Sequence, residues 1–253
     1  MDICRLSNVT VEIPLFPPHE RTLKSSLIKG IAAGMTGRVI TKSKKISSVQ
    51  ALSDITFTIN SGDRIGLVGH NGAGKSTFLR LLSGIFKPSS GEFYLPKPFT
   101  PLLDKSFIVS TELTGYSACK AHYLFERGNL KGFDCFLEDV LFFSDIGEFI
   151  RMPISGYSEG MKTRLIFSIL TYFQHDLLAM DEGLGTGDQS FIDKATDRFV
   201  DYVNKAGTLV LASHNNAMLK DFCDIGIVFD QGSMVFSGDL DDALDYYDEV
   251  VNQ

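Results

Sequence analysis

In the sequence, one glycine-rich loop reads Gly69-His70-Asn71-Gly72-Ala73-Gly74-Lys75-Ser76-Thr77. An apolar run, residues 65–68, precedes this loop, and apolar residues at helical spacing follow it over 78–85. A strand, a glycine loop and a helix N-terminus form the context that a phosphate-binding loop requires. Glycines let backbone N–H groups close around phosphate oxygens, and the helix N-terminus adds unpaired donors. The segment therefore predicts a nucleotide-binding loop.

Two side chains of this loop have specific expected tasks. Lys75 is expected to reach the β- and γ-phosphates of the nucleotide, and the Ser76 hydroxyl is expected to ligate Mg²⁺. The alternative is a chance glycine-rich turn, but all motif positions are matched in the required context.

Two adjacent carboxylates, Asp181 and Glu182, end a second apolar run, residues 177–180. We expect Asp181 to hold Mg²⁺ through a water molecule and Glu182 to polarise the water that attacks the γ-phosphate. The alternative is that these acids only cap a helix N-terminus. The apolar run directly before them predicts a buried strand, which favours the catalytic interpretation.

Further segments follow in a fixed order along the chain. Residues 157–161 read Tyr-Ser-Glu-Gly-Met before a helical stretch, Asp188 follows the carboxylate pair, and a strand over 208–212 leads to His214. Together with the phosphate loop and the carboxylates, this order resembles the ATP-binding cassette family: Walker A, signature, Walker B, D-loop and switch histidine. The resemblance covers nearly the whole chain and implies an ATPase.

The resemblance implies roles for residues of the later segments. Ser158 is expected to donate its hydroxyl to a γ-phosphate, and Gly160 to leave a backbone N–H free at a helix N-terminus. His214 is expected to sense the γ-phosphate. A histidine that ends a buried strand can also be a core residue with satisfied hydrogen bonds, but its position after the carboxylates favours the sensor.

The signature departs from the family's common Leu-Ser-Gly-Gly-Gln. The version found here, together with Gly187-Asp188 and Glu112-Leu113-Thr114-Gly115, resembles one branch, the ATPase subunits of bacterial polysaccharide exporters. These proteins move O-antigen, capsule or teichoic acid chains. The alternative is a divergent cassette that serves another exporter.

Two expected family features lack a clear match. Residues 99–115 contain no glutamine to sense Mg²⁺ and the attacking water. Asp104 is the nearest oxygen-bearing side chain, and it can equally be a solvated loop carboxylate. Phe16 could stack on adenine, but it can equally be a buried residue of an N-terminal strand.

Composition narrows the class of protein. The chain has 253 residues, 44% hydrophobic and 22% charged, which are globular values. A net charge of −7 argues against broad binding of nucleic acid. The 4 cysteines have no metal or redox spacing and indicate reduced thiols in a cytosolic protein. No apolar run approaches the ~18–20 residues needed to span a bilayer, so a transport function would require other chains as the channel.

Strands that alternate with helices predict an α/β fold. We expect a P-loop NTPase (RecA-like) core, an antiparallel β layer and a helical subdomain that carries the signature. The expected organisation is one cassette, residues 1–253, with a catalytic core over 1–103 and 170–253 and the helical subdomain over 104–169. A C-terminal carbohydrate-binding domain is not expected.

Residues 21–45 contain seven Lys or Arg and no acidic residue. One interpretation is a solvated insertion between two strands. The other is an amphipathic element beside the channel mouth and the anionic lipid surface.

The family resemblance also implies partners. Two copies would associate head to tail, with ATP between the Walker motifs of one copy and Ser158 and Gly160 of the other. Such a homodimer would bind integral membrane permease subunits at the cytoplasmic face of the bacterial inner membrane and would power export of a lipid-linked polysaccharide. The competing interpretations are a soluble cassette protein acting in translation or DNA maintenance, and a nucleotide-binding protein without turnover.

Overall fold

The structure is a computed structural model that describes residues 2–14, 38–42, 45–102, 111–181 and 189–251. Its described residues fall into two compact units. The first unit lies within Met1–Leu103, Leu177–Asp181 and Gly207–Gln253, and the second lies within Asp104–Asp176 and Glu182–Ala206. Several sequence predictions, those for Phe16, residues 21–37, Asp104, Glu182 and Gly187-Asp188, lie outside the described residues.

The described elements follow one another in this order: β1 (Asp2–Pro14), β2 (Arg38–Lys42), β3 (Lys45–Asn60), β4 (Arg64–Val68), α1 (Lys75–Leu82), β5 (Ser90–Tyr94), β6 (Thr100–Leu102), α2 (Gly115–Arg127), α3 (Phe133–Ser144), α4 (Glu159–Leu170), β7 (Leu177–Asp181), α5 (Gln189–Asn204), β8 (Thr208–Ala212), α6 (Asn216–Phe222), β9 (Ile225–Asp230), β10 (Ser233–Asp239) and α7 (Leu240–Tyr246). Short 3₁₀ helices cover Gly147–Arg151 and Ile154–Gly156, and a π-helical turn covers Tyr247–Val251.

The first unit contains two sheets. A 4-stranded sheet has the order β2-β3-β1-β5, and its strand pairs are antiparallel. A 6-stranded sheet has the order β10-β9-β4-β8-β7-β6. Its strands β9, β4, β8, β7 and β6 run parallel, and β10 pairs with β9 antiparallel. This arrangement confirms the predicted α/β fold with an antiparallel β layer.

The parallel strands follow from their composition. β4 and β8 are short, almost continuously apolar and buried along nearly their whole length, as expected for strands covered on both faces.

Gly226 in β9 has a specific packing role. An added Cβ there would lie 3.2 Å from the Leu240 Cα, so glycine allows α7 to pack directly against the sheet.

Apolar side chains from both sheets and from α1 share one core in the first unit. Leu52 and Ile55 of β3 are completely buried, and the rings of Phe78 in α1 and Phe229 in β9 lie 5.3 Å apart between centroids. Full burial of such a side chain stabilises the fold by about 1.5–3 kcal/mol. This packing fixes α1 and, with it, the loop that precedes the helix.

The second unit is organised around aromatic side chains. Phe136 of α3 is completely buried, and its ring stacks on Phe173 at 5.5 Å and meets Tyr172 edge-on at 4.8 Å. Burial and the nearby His175 lower the pKa of His122 to about 4, so His122 is neutral at physiological pH. Its ring lies against Phe173, as part of the same apolar cluster.

Helix α5 belongs to the second unit, whereas the sequence-based division placed this part of the chain in the catalytic core. Phe191 of α5 packs against Phe143 and Phe167. Arg198 forms a 2.7 Å ion pair with Asp139 and lies over the Phe143 ring. These contacts join α5 to α3 and α4. A hydrophobic period of 3.6 residues predicts that one face of a helix is buried, but it does not identify the unit that this face contacts.

In the part of the chain that the structure describes, no helix is both long enough and apolar enough to cross a bilayer.

Burial raises the pKa of the Cys4, Cys119 and Cys223 thiols to about 12. These thiols therefore stay protonated and poorly nucleophilic at neutral pH.

Candidate nucleotide-binding site

The glycine-rich loop lies between β4, which ends at Val68, and α1, which begins at Lys75. Gly74 is the N-cap of α1 and has φ of +120°, a conformation that other residues rarely adopt. A Cβ on Gly74 would also lie 3.1 Å from Leu52 Cδ2. The first N–H groups of a helix have no intrahelical acceptors, so this strand–loop–helix arrangement is suited to an anion.

The Lys75 side chain lies inside the loop and is only 7% exposed. Its ammonium donates to the carbonyl of Gly69 and, at 3.1 Å, to the carbonyl of His70. These carbonyls stabilise a buried positive charge within the cradle, where an anionic ligand would meet it.

Ser76 and Asp181 come together from distant parts of the sequence. Ser76 lies in the first turn of α1, and Asp181 is the last residue of β7. The Ser76 hydroxyl donates to Asp181 Oδ2 at 2.5 Å. A hydroxyl and a carboxylate side by side are hard oxygen donors, which Mg²⁺ prefers when it also binds waters and substrate phosphates. The residues present therefore fit a Mg²⁺ ion.

His214 lies two residues after β8, which is hydrogen-bonded to β4 on one side and to β7 on the other. Its Nε2 lies 2.9 Å from the side-chain Oδ1 of Asn71 in the loop. The ends of β4, β7 and β8 therefore place the loop, Asp181 and His214 at one edge of the sheet. In open parallel sheets, ligands bind at this carboxyl edge.

The signature residues lie in the second unit. Ser158 is the N-cap of α4, is exposed, and its hydroxyl accepts the Met161 N–H at 3.2 Å. The hydroxyl proton remains available for an acceptor. Gly160 is half-buried, and an added Cβ would meet only Ser158 Oγ, at 4.0 Å. The hydroxyl of the buried Tyr157 donates to the Phe149 carbonyl, which anchors the segment directly before this helix start.

One side chain that contacts the loop, Asp230, was not predicted from the sequence. Its Oδ1 lies 3.0 Å from Nε2 of His70 in the loop. Asp230 ends the apolar strand β9, which is hydrogen-bonded to β4. A carboxylate at the end of an apolar strand was the pattern that predicted the role of Asp181. The same pattern is present at Asp230 and could have identified it.

A protein-family model described as ABC transporter matches residues 52–185. The chain is 34% identical over 217 residues to the O-antigen export system ATP-binding protein RfbE of Yersinia enterocolitica, covering 86% of this chain and 90% of that protein. It is also 34% identical over 228 residues to the teichoic acids export ATP-binding protein TagH of Listeria monocytogenes, covering 90% of this chain and 66% of that protein.

Two solved structures have a similar fold at low sequence identity. One is a dimeric bacterial ABC transporter cassette, and the other is a dimeric post-hydrolysis state of a cassette bound to ADP and Pi. For each, the TM-score is 0.63 at 17% identity, and the match covers 94% of this chain and 98% of the other. The family model covers more than half of the sequence and RfbE matches along nearly its whole length, so the chain belongs to the ABC transporter family as an ATPase cassette.

Proposed function

We propose that the chain is the ATP-hydrolysing subunit of a bacterial exporter of cell-surface polysaccharide, of the O-antigen, capsule or teichoic acid type. The observation that carries this proposal is the similarity to RfbE, an O-antigen export ATP-binding protein, over 90% of that protein's length. The similarity to the teichoic acid export protein TagH supports the same class of cargo. The Tyr-Ser-Glu-Gly-Met signature at residues 157–161 fits the same branch.

In this proposal the triphosphate of ATP lies in the loop from Gly69 to Thr77. Backbone N–H groups of the loop and of the first turn of α1 donate to the phosphate oxygens. The buried Lys75 ammonium exchanges its carbonyl acceptors, Gly69 and His70, for oxygens of the β- and γ-phosphates. The glycine at position 74 lets the loop pack against β3, because a Cβ there would lie 3.1 Å from Leu52 Cδ2.

Ser76 and Asp181 would hold Mg²⁺, which neutralises charge on the β- and γ-phosphates when it is bound. Glu182 follows Asp181 directly in the sequence and would orient and deprotonate the attacking water. His214 would donate to the γ-phosphate through the Nε2 that now faces Asn71. Apart from the proton transfer to Glu182, these roles are electrostatic or positional, as phosphoryl transfer requires.

We infer that two copies of the chain form a homodimer in which ATP is the interfacial ligand. Ser158 would donate its hydroxyl, and the α4 N-terminus with Gly160 would add N–H donors, to the γ-phosphate bound by the other copy. The exposure of Ser158 at the start of α4 suits contact with a second molecule. Loss of the γ-phosphate removes the group that both copies bind, so hydrolysis opens the dimer.

Opening and closing of the dimer would drive integral membrane permease subunits at the cytoplasmic face of the bacterial inner membrane. The transported substrate would be a lipid-linked polysaccharide. No nucleic acid is required as a partner, in keeping with the net charge of −7.

Affinity purification tests this partnership. We expect a tagged chain, expressed from its own gene and extracted in mild detergent, to co-purify with a multispanning membrane protein, identified by mass spectrometry. ATP hydrolysis by that complex should depend on Lys75, so the Lys75→Ala complex serves as the matched inactive control. Recovery of an active ATPase that is never accompanied by a membrane protein would favour a soluble cassette protein instead.

A further inference from the structure

We infer that Asp230 is a positioning residue for the phosphate loop and acts through His70. This inference rests on the proposed function, because it concerns the same nucleotide site. Asp230 ends strand β9, 160 residues after His70 in the sequence, and its Oδ1 lies 3.0 Å from His70 Nε2. The carboxylate contacts the His70 ring, and its proposed effect is on the shape of the loop.

Both nitrogens of the His70 ring are engaged. Nδ1 lies 2.9 Å from the backbone carbonyl of Asn71. On the opposite side of the ring, Nε2 lies 3.0 Å from Asp230 Oδ1. The ring is therefore held at two points, with Asp230 as the only one of its two partners outside the loop.

The turn that contains Asp230 is itself fixed to the rest of the first unit. The Gly232 N–H donates to the Ala73 carbonyl at 2.8 Å, and the Ser53 N–H donates to the Gly232 carbonyl at 2.8 Å. The turn thus joins β3 to the phosphate loop through the backbone. It supports the loop at two places, Ala73 by a main-chain hydrogen bond and His70 by the carboxylate.

The residues between these two supports have direct partners in the site. The Asn71 carbonyl is held by His70, and the Asn71 side chain accepts from His214 Nε2 at 2.9 Å. The His70 carbonyl accepts from the Lys75 ammonium at 3.1 Å. Asp230, which lies outside the loop, therefore holds the His70 ring. His70 in turn orients its own carbonyl toward Lys75 and holds Asn71, whose side chain accepts from His214. Such preorganisation lowers the cost of ordering a loop when its ligand binds.

The pair is poorly suited to a purely structural role. The side chains of His70 and Asp230 are 38% and 35% exposed, and exposed ion pairs contribute little to folding stability. The two backbone hydrogen bonds of Gly232 do not involve the carboxylate. Removal of the carboxylate should leave the fold intact and release the His70 ring.

The first test is Asp230→Ala, with ATP hydrolysis measured by phosphate release and ATP affinity measured by calorimetry. We expect KM and Kd for ATP to rise about threefold to tenfold, and kcat to stay within about twofold of wild type, as when a ground-state binding contribution is lost. The matched control is Asp241→Ala. It removes the carboxylate of an exposed ion pair elsewhere in the first unit, Lys220–Asp241 at 2.7 Å, and should leave KM and Kd unchanged.

A double-mutant cycle separates positioning from stability. His70→Gln should raise Kd by itself, and adding Asp230→Ala to it should raise Kd no further, because the carboxylate acts through the ring. Asp230→Asn places an amide at the same position, which can donate to or accept from Nε2, and should keep most of the affinity. Wild-type Kd in Asp230→Ala, additive effects in the cycle, or a lower kcat and melting temperature with unchanged KM would each overturn the inference. Absence of ATP hydrolysis by wild type would overturn the proposed function alone, and the calorimetric Kd values would still decide the role of Asp230.

Discussion

Glu182→Gln should slow ATP hydrolysis by a factor of about 10²–10⁴, while ATP binding stays close to that of wild type. The amide preserves the size of the side chain but cannot accept the proton of the attacking water. A loss of this size corresponds to roughly 3–5 kcal/mol in the activation free energy. Because Lys75, Ser76 and Asp181 are unchanged, the variant should still bind ATP and Mg²⁺ and should accumulate as a closed dimer. Steady-state phosphate release measures the rate, and size-exclusion chromatography with ATP measures the dimer.

The matched control for this substitution is Glu92→Gln. Glu92 is an exposed residue of strand β5 in the antiparallel sheet, so the change removes the same charge outside the nucleotide site. It should leave hydrolysis at the wild-type rate. Near-normal turnover in Glu182→Gln, with the control also normal, would show that another group activates the water.

A mixture of Lys75→Ala and Ser158→Arg chains should recover activity that neither variant has alone. Lys75 is proposed to act within its own copy and Ser158 across the interface. In a mixed dimer both changes then fall at one ATP site and leave the other site intact. With random pairing at equal amounts, about half of the dimers are mixed, and one of the two equivalent sites in each mixed dimer is intact. About a quarter of the wild-type sites would therefore be restored.

Two differently tagged chains allow the mixed dimer to be purified before its phosphate release is measured. Mixing two preparations of Lys75→Ala is the negative control, because both phosphate loops of every dimer then carry the substitution. If mixed dimers demonstrably form and remain inactive, the assignment of Ser158 to the partner's site is wrong.

Sequence reasoning was most successful where a function depends on a contiguous segment. The phosphate loop needs a strand before it and a helix after it, and β4 and α1 lie there. The approach of Asp181 to Ser76 was also predictable, because a carboxylate that follows a buried parallel strand lies at the carboxyl edge of the sheet.

Other features depend on contacts that no local pattern encodes. The Asp230–His70 pair joins residues 160 positions apart, and the Gln231-Gly232 sequence that follows Asp230 indicates only a turn. The grouping of α5 with the second unit rests on Phe191 and Arg198. An amphipathic pattern predicts that such a helix buries one face but does not identify the surface that covers it.

The most direct test of polysaccharide export is made in cells whose chromosomal copy carries Lys75→Ala. Surface and internal polysaccharide are quantified separately, and equal expression of wild-type and variant chains is verified by immunoblot. Loss of the ammonium that serves the β- and γ-phosphates should stop ATP-driven export, so polysaccharide should be synthesised, retained inside the cell and absent from the surface. Surface polysaccharide at the wild-type level in these cells would contradict the proposal that this chain powers its export.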